Sequence, residues 1–376
     1  MATTRTAPRS QLTTKPVDLY MSFELGDKRW HISIGDDRRS VSHYIVEAGH
    51  TEEVADCIAK ATARSHAKAR VHSCYEAGRD GWWLHRWLSE RGVDNIVVDP
   101  ASIEVNRRAR RAKTDRLDAD KLLAMLIRHH GGERVWSVLR EPSPSDEDAR
   151  RVHRELQRLM HERIAHTNRI SSLLVLHNLR PRIVIGGRDW PAWWNSHREQ
   201  LPPALRAELE REAARLKVVK EQVRVIEAER AKELAEGKQP LVAQLARLRA
   251  IGPKGAWVLV KEVFGWRHFA NRRQLAGSLG LVPTPYASGD SQIEQGISKA
   301  GNRRVRALLV ELAWSWLRLQ PGSALTQWFN RRFASAGKRM RRVGIVALAR
   351  RLAIALWRYL QDGQIPAGAR FKPAAA

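Results

Sequence analysis

The chain has 376 residues, room for two or three domains, and carries 66 Lys and Arg against 40 Asp and Glu, a net +26 with a pI near 11.0. An excess of this size points to a polyanionic partner, nucleic acid above all. No apolar run reaches membrane-spanning length, since Ile345 to Trp357 is broken by Arg350 and Arg351, and two cysteines, Cys57 and Cys74, make neither a zinc site nor a disulfide framework, so a reducing cytoplasm fits.

In chain order, the first fifteen or so residues are rich in Thr, Ser, Arg and Pro and have no apolar core, which suits a disordered arm rather than a secretory signal. Leu19 to Glu24 alternates, Gly26-Asp27-Lys28 turns, and Trp30 to Ile34 alternates again, predicting a hairpin with Glu24 at the end of its first strand. Val71 to Glu76 is a third strand, ended by Ala77-Gly78, and Asn95 to Asp99 a fourth, stopped by Pro100. A helix from Gly81 to Arg91 lies between them, giving a strand–helix–strand crossover. Lys113-Thr114-Asp115-Arg116-Leu117-Asp118-Ala119 then opens an amphipathic helix that runs to His130. Asp115 and Asp118 share one face of it. Two carboxylates held close repel unless a proton or a divalent cation sits between them; acids in a first turn also simply suit the helix dipole. With the strand-end acids Glu24 and Glu76, the pair could converge on two Mg²⁺ ions, which prefer carboxylate and water ligands. The fourteen histidines show no metal spacing and read as structural or solvated.

From about Ser145 the period lengthens. Val152, Leu156, Leu159, Ile170, Leu173 and Leu174 mark one long helix, and Leu209, Leu216, Val219, Val223 and Ile226 a second in near-heptad spacing, together a hairpin or a dimer coiled coil. Between them Trp190, Trp193 and Trp194 could stack on bases, but such clusters are more often packing plugs. The segment Leu248 to Ala256 looks like a helix–hairpin–helix turn whose Gly252, Lys254 and Gly255 would approach a phosphate; an ordinary helix–helix turn fits equally. Tyr286-Ala287-Ser288-Gly289-Asp290-Ser291 reads as a flexible loop, and by pattern alone Ser288 is a loop serine. Ser298-Lys299-Ala300-Gly301-Asn302-Arg303-Arg304 starts a basic helix suited to phosphates, with Lys299, Asn302, Arg303 and Arg304, and Lys113 ahead of the acidic helix, as contacts. From Glu236 onward 24 Lys and Arg face 6 Asp and Glu, so +18 of the +26 lies there.

The order of these boxes resembles the DEDD transposases of bacterial insertion sequences, the IS-110 group with its Piv-type DNA invertases. The matching residues are Glu24, Tyr75-Glu76-Ala77-Gly78, Lys113-Thr114-Asp115 with Asp118-Ala119, Ala250-Ile251-Gly252-Pro253, Leu275-Ala276-Gly277, Gly280-Leu281-Val282-Pro283, Tyr286-Ala287-Ser288-Gly289 and Ile297 to Asn302. The resemblance covers most of the chain. One departure is plain: the first acid is usually Asp and here is Glu24, whose extra methylene could move a metal ligand by about 1.5 Å.

The resemblance implies a multidomain α/β plus α protein. An RNase H/RuvC-like DEDD domain would span 16–144 after an arm over 1–15, a coiled-coil segment with the Trp-rich insertion 145–235, and a mostly helical transposase domain 236–376. It implies Mg²⁺ or Mn²⁺ on Glu24, Glu76, Asp115 and Asp118, and Ser288 as the nucleophile that attacks DNA, with Ser291 matching less well. It implies donor and target DNA, a structured non-coding guide (bridge) RNA, a homo-oligomer (dimer or tetramer) and a cytoplasmic, nucleoid-associated location without membrane contact. Two other readings stay open: a metal-only RuvC-like nuclease or resolvase in which Ser288 is inert, and a catalytically inactive nucleic-acid-binding relic.

Overall fold

The computed structural model describes residues 17–36, 40–64, 69–104, 114–288 and 291–373, with the backbone alone over 285–288 and 291–295. The N-terminal arm, Lys113, Gly289 and Asp290 lie outside the described residues. The chain divides into two compact units, Met1–Glu141 and Pro142–Ala376.

The first unit runs β1 (Val17–Leu25), β2 (Arg29–Gly35), β3 (Ser42–Glu47), α1 (Thr51–Arg64), β4 (Ala69–Glu76), α2 (Trp83–Glu90), β5 (Asp94–Val98) and α3 (Asp115–His130). The expected hairpin is the antiparallel pair β1–β2, in which Glu24 faces His31. The sheet order is β3-β2-β1-β4-β5, antiparallel over the first three strands and parallel from β1 to β4 to β5. Strand alternation assigns the two faces. Met21, Phe23, Trp30, Ile32, Tyr75 and Val97 pack beneath α1 and α2, against Val54, Cys57, Leu84 and Leu88. Cys74 and Val98 pack on the other face beneath Leu122, Met125 and Leu126 of α3. Buried serines let α3 lie close to the sheet and leave no polar atom stranded: Ser22 Oγ donates to the Ala119 carbonyl (2.7 Å) and Ser33 Oγ to Asp120 Oδ1 (2.6 Å). This mixed α/β sheet is consistent with the RNase H-like domain that the acidic boxes imply.

The second unit is mostly helical: α4 (Pro144–Ala149), α5 (Arg151–Val175), α6 (Trp190–His197), α7 (Pro203–Ala235), α8 (Pro240–Ala246), α9 (Pro253–Leu259), α10 (Arg272–Ser278), the two-stranded ribbon β6 (Pro283–Ser288) and β7 (Ser291–Ile297), then α11 (Arg303–Leu319), α12 (Ala324–Phe333) and α13 (Lys338–Asp362). The two long helices α5 and α7 pack side by side through Leu156, Leu159, Val219 and Val223. Trp190 stacks on both Trp193 and Trp194, and the three close the end of that pair with Ile170, Leu174, Leu209 and Leu216, so the tryptophans serve as packing. A separate core, with Trp257, Leu309, Trp316, Leu348 and Leu352 near its centre, joins α8 to α13. Among the described residues no helix is long and apolar enough to cross a membrane.

Candidate active site

The carboxylates of the first unit are placed by strand register. Glu24 lies two residues beyond Ser22 on β1, and Glu76 two beyond Cys74 on β4; Ser22 and Cys74 are themselves register partners beneath α3. A period of two therefore puts Glu24 and Glu76 on the α3 face, at the C-terminal ends of neighbouring parallel strands. The helix crosses this face with its first turn at the same end. Ala119 lies over Ser22, Leu122 over Cys74, and the last residue, His130, reaches Tyr20 and His72 at the strands' beginnings. Thr114 caps α3, its hydroxyl accepting from the Leu117 amide (3.3 Å). Asp115 and Asp118 thus stand over the strand ends that carry Glu24 and Glu76.

One contact ties the pieces together: Asp115 Oδ2 lies 3.6 Å from Nε2 of His31, the residue paired with Glu24 across the β1–β2 ladder. Glu76 and Asp115 are exposed, while Glu24 and Asp118 are partly covered. The oxygen-only donor set suits a hard cation. The four are not drawn tightly together: among the described residues, the one group of three His, Cys, Asp or Glu whose ligand atoms all lie within 4.8 Å is His72, Asp94 and His130, elsewhere in the unit. Tyr75, within the second box, points to the opposite face, where its hydroxyl donates to the Gly81 carbonyl (3.0 Å) and accepts from the His85 amide (3.2 Å). It anchors the start of α2, and burial holds its phenol protonated.

In the second unit the segment expected as a flexible loop is a β-ribbon. Ser288 is the last residue of β6, in register with Ser291, the first of β7. The ribbon is clamped at its base. The Ser298 amide donates to the Val282 carbonyl (2.9 Å), Lys299 to Gly280 (3.2 Å) and Asn302 to Ser278 (3.3 Å). Gly280 (φ +64°) and Gly301 (φ +76°) make this crossing possible, because a Cβ at either would run into the opposing backbone. Gly280→Ala should therefore cost more than the roughly 1–2 kcal/mol of left-handed strain alone, read as a drop in thermal midpoint.

Sequence comparison decides the family. Residues 242–328 match the model described as the transposase family IS116/IS110/IS902, and residues 26–178 match a DEDD transposase model of IS110 type. A Sinorhizobium fredii protein named as transposase y4rJ is 39% identical over 376 residues, covering 94% of each chain. The chain belongs to the IS110 family of DEDD transposases. A second S. fredii protein, named as transposase y4qE, is 32% identical over 65% of this chain and 58% of its own length. The transposase for insertion sequence element IS1328 of Yersinia enterocolitica is 28% identical over 57% of this chain and 63% of its own.

A side chain that the sequence reading did not single out organises the base of this transposase's ribbon. Glu262 is 1% exposed and sits in a π-helical turn, Val260–Phe264, that continues α9. Such turns recur at functional sites. His153 Nε2 lies 2.7 Å from its Oε1, Arg154 grips both oxygens at 2.8 Å, and Asn302 Nδ2 donates to Oε2 at 2.9 Å. Asn302 also caps α11 through the Val305 amide (3.1 Å). Glu262 thereby joins the start of α5 to the turn that holds the ribbon. Burial would raise its pKa, but hydrogen bonds from Arg154 and His153 outweigh that and hold it well below the usual carboxylate range. Burial lowers the His153 pKa. Its Nδ1 is buried with no partner, so the neutral ring donating from Nε2 is the form that fits. Glu262→Gln should cost about 3 kcal/mol, because Arg154 loses its buried counter-charge. A depressed carboxylate stabilises the fold above its unfolded pKa, and that contribution is lost as pH falls through the folded value. Acid unfolding below about pH 4.5 should be shallower in Glu262→Gln, as fluorescence melts across pH would record.

The remaining basic candidates sit differently from one another. Arg303 and Lys299 are exposed, Lys299 in a left-handed conformation (φ 57°). Arg304 turns inward to Gln157 and Glu262. Lys254 pairs with Glu227, Gly255 packs toward Leu308 and Leu312, and Gly252 precedes α9 with an ordinary φ of −83°; the left-handed residue of that turn is Ala250 (φ 79°). A larger basic feature lies elsewhere. An open groove beside the ribbon base at Pro283 and Ile297 is lined by Arg272, Arg273, Arg339, Arg350, Arg351 and Arg358, with no acid among its lining residues.

Proposed function

We propose that this transposase cuts and rejoins DNA through a phosphoserine link at Ser288, with Mg²⁺ or Mn²⁺ on Glu24, Glu76, Asp115 and Asp118 and a structured non-coding RNA as guide. The observation that carries the reading is that Glu24 and Glu76 lie on the sheet face that α3 covers, with Asp115 and Asp118 in the first turn of that helix at the same end. A serine hydroxyl is a weak nucleophile at neutral pH and needs a base or a metal. Bound divalent ions would supply charge stabilisation and activation of an attacking oxygen. In the proposed step an Oγ–phosphorus bond forms as one phosphodiester P–O bond breaks. The hydroxyl proton passes to a base and the leaving sugar oxygen takes one up. Rejoining reverses this with another strand's hydroxyl, so ester is exchanged for ester and no energy source is needed. The metal-only nuclease reading would leave Ser288 unmodified.

The domain limits 16–144, 145–235 and 236–376, the α5–α7 pair as a coiled coil, a dimer or tetramer, and association with the nucleoid belong to the same reading. DNA as substrate follows from the family; the arginine groove supports phosphate contacts by the second unit. The test is denaturing electrophoresis of full-length protein with labelled element DNA, co-purified RNA and Mg²⁺, followed by peptide mapping. An adduct on the Tyr286–Ser291 segment is expected; cleavage without one favours the nuclease. A discrete RNA from the element itself should co-purify, with affinity that falls steeply as salt rises. Random cellular RNA, and recombination without any, would favour a protein that reads DNA directly. Arg350→Ala and Arg358→Ala should each lower the slope of log affinity against log salt by about 1; an unchanged slope would remove the groove from the contact surface.

A further inference from the structure

We propose that His72, Asp94 and His130 form a binding site for a first-row transition-metal ion, of which Zn²⁺ is the natural representative. The site lies on the same face of the sheet as the acids, beneath the other end of α3. His72 on β4 and Asp94, the first residue of β5, are register partners, and His130 is the last residue of α3. Nδ1 of His72 is 2.8 Å from Asp94 Oδ2, the two imidazoles are 4.1 Å apart between ring centres, and the three ligand atoms all lie within 4.8 Å of one another.

Three features separate this cluster from an ordinary His–carboxylate pair. The first is that His72 is supported from behind: its Nε2 is 3.1 Å from Asp18 Oδ1, and Arg70 holds Asp18 through both nitrogens of its fork at 3.0 and 3.3 Å. Asp18 accepting from Nε2–H is the usual outer support of a metal-bound histidine, and the ion would take the place of the proton that Nδ1 and Asp94 share. The second is that two imidazoles this close repel when both are charged. A cation between the two neutral rings, with Asp94 beside it, gives their nitrogens a common partner instead. The third is that Tyr20 flanks both rings at 5.5 Å and limits their motion. A tetrahedral zinc holds nitrogen and oxygen at about 2.0–2.2 Å, so its ligand atoms are roughly 3.4 Å apart, and closing from 4.8 Å needs only side-chain adjustment. Two imidazole nitrogens and one carboxylate select a borderline ion over Mg²⁺, and water would take the fourth position. The ion would pin the last turn of α3 to β4 and β5, and so fix the helix that carries Asp115 and Asp118 roughly 18–23 Å away toward its other end.

The test uses the full chain, stripped with a chelator and held in excess Mg²⁺. Titration with Co²⁺ should give one equivalent with the visible absorption of a tetrahedral site, displaced by Zn²⁺, and Zn²⁺ should raise the thermal midpoint. His130→Ala and Asp94→Ala should each weaken binding at least tenfold and abolish the thermal shift, while melting like the parent in chelator. Asp118→Asn should bind Co²⁺ like the parent, which keeps this site distinct from the acids whatever the fate of that assignment. No tetrahedral Co²⁺ band, or Zn²⁺ affinity unchanged in His130→Ala, would overturn the proposal.

Discussion

Replacing Ser288 by Ala is expected to abolish both the covalent protein–DNA link and recombination, because no oxygen remains at that position to attack phosphorus. Fold and nucleic-acid affinity should survive. Ser288 is the last residue of β6, and the ribbon is held at its base by backbone bonds and by Gly280 and Gly301. Substitutions away from a packed core usually change stability by no more than about 0.5 kcal/mol. The control is Ser291→Ala. The register sets Ser291 directly across the strand pair from Ser288, so an exchange of roles between the two serines is the closest competing assignment. An adduct that persists in Ser288→Ala and maps to Ser291 would move the nucleophile across the turn and leave the chemistry standing. Cleavage without an adduct, undiminished in Ser288→Ala, would reject the serine mechanism and favour metal-only cleavage.

The first unit was legible because its signals are local. Alternation marked β1, β2, β4 and β5, and the Leu122–Ile127 periodicity after Asp115 and Asp118 marked α3; each lies within a few residues of its expected limits. The edge strand β3 and helix α1 were missed. Ser42–Glu47 buries Val46 alone, so its alternation is faint. The β6–β7 ribbon reads as a loop in the sequence because Pro283 and Pro285 break the strand pattern, and among the described residues its two strands join no larger sheet. Glu262 left one trace, a lone acid in the otherwise apolar run from Trp257 to Phe264 beside Lys261. Its partners come from 108 and 109 residues away in one direction and 40 in the other, beyond any periodicity. The same holds for His72, Asp94 and His130: the spacing of the histidines gives no sign of them, because a strand, its neighbour and a helix end must fold before they meet.

Asp118→Asn should remove strand cleavage and transfer while leaving nucleic-acid binding nearly unchanged. The amide keeps the size of the carboxylate but not its charge. Binding rests on a basic surface that this change does not touch, with +18 of the net charge beyond residue 235. Loss of one group that stabilises charge in a transition state costs on the order of 100-fold or more, measured as initial rate under saturating DNA and Mg²⁺. Asp118 is a better probe than Asp115, which is exposed and lies 3.6 Å from His31; Asp115→Asn would change that contact as well. Glu24 is the complementary probe. It lies near the end of β1, across from His31. Glu24→Asp should be tolerated or even active, and Glu24→Ala inactive. Full recombination by Asp118→Asn would sink the metal assignment for α3, and unchanged activity in Glu24→Ala would take β1 out of the site. If both variants fail while Ser288→Ala still forms an adduct on Ser291, the acids and the ribbon remain parts of one reaction with its nucleophile reassigned.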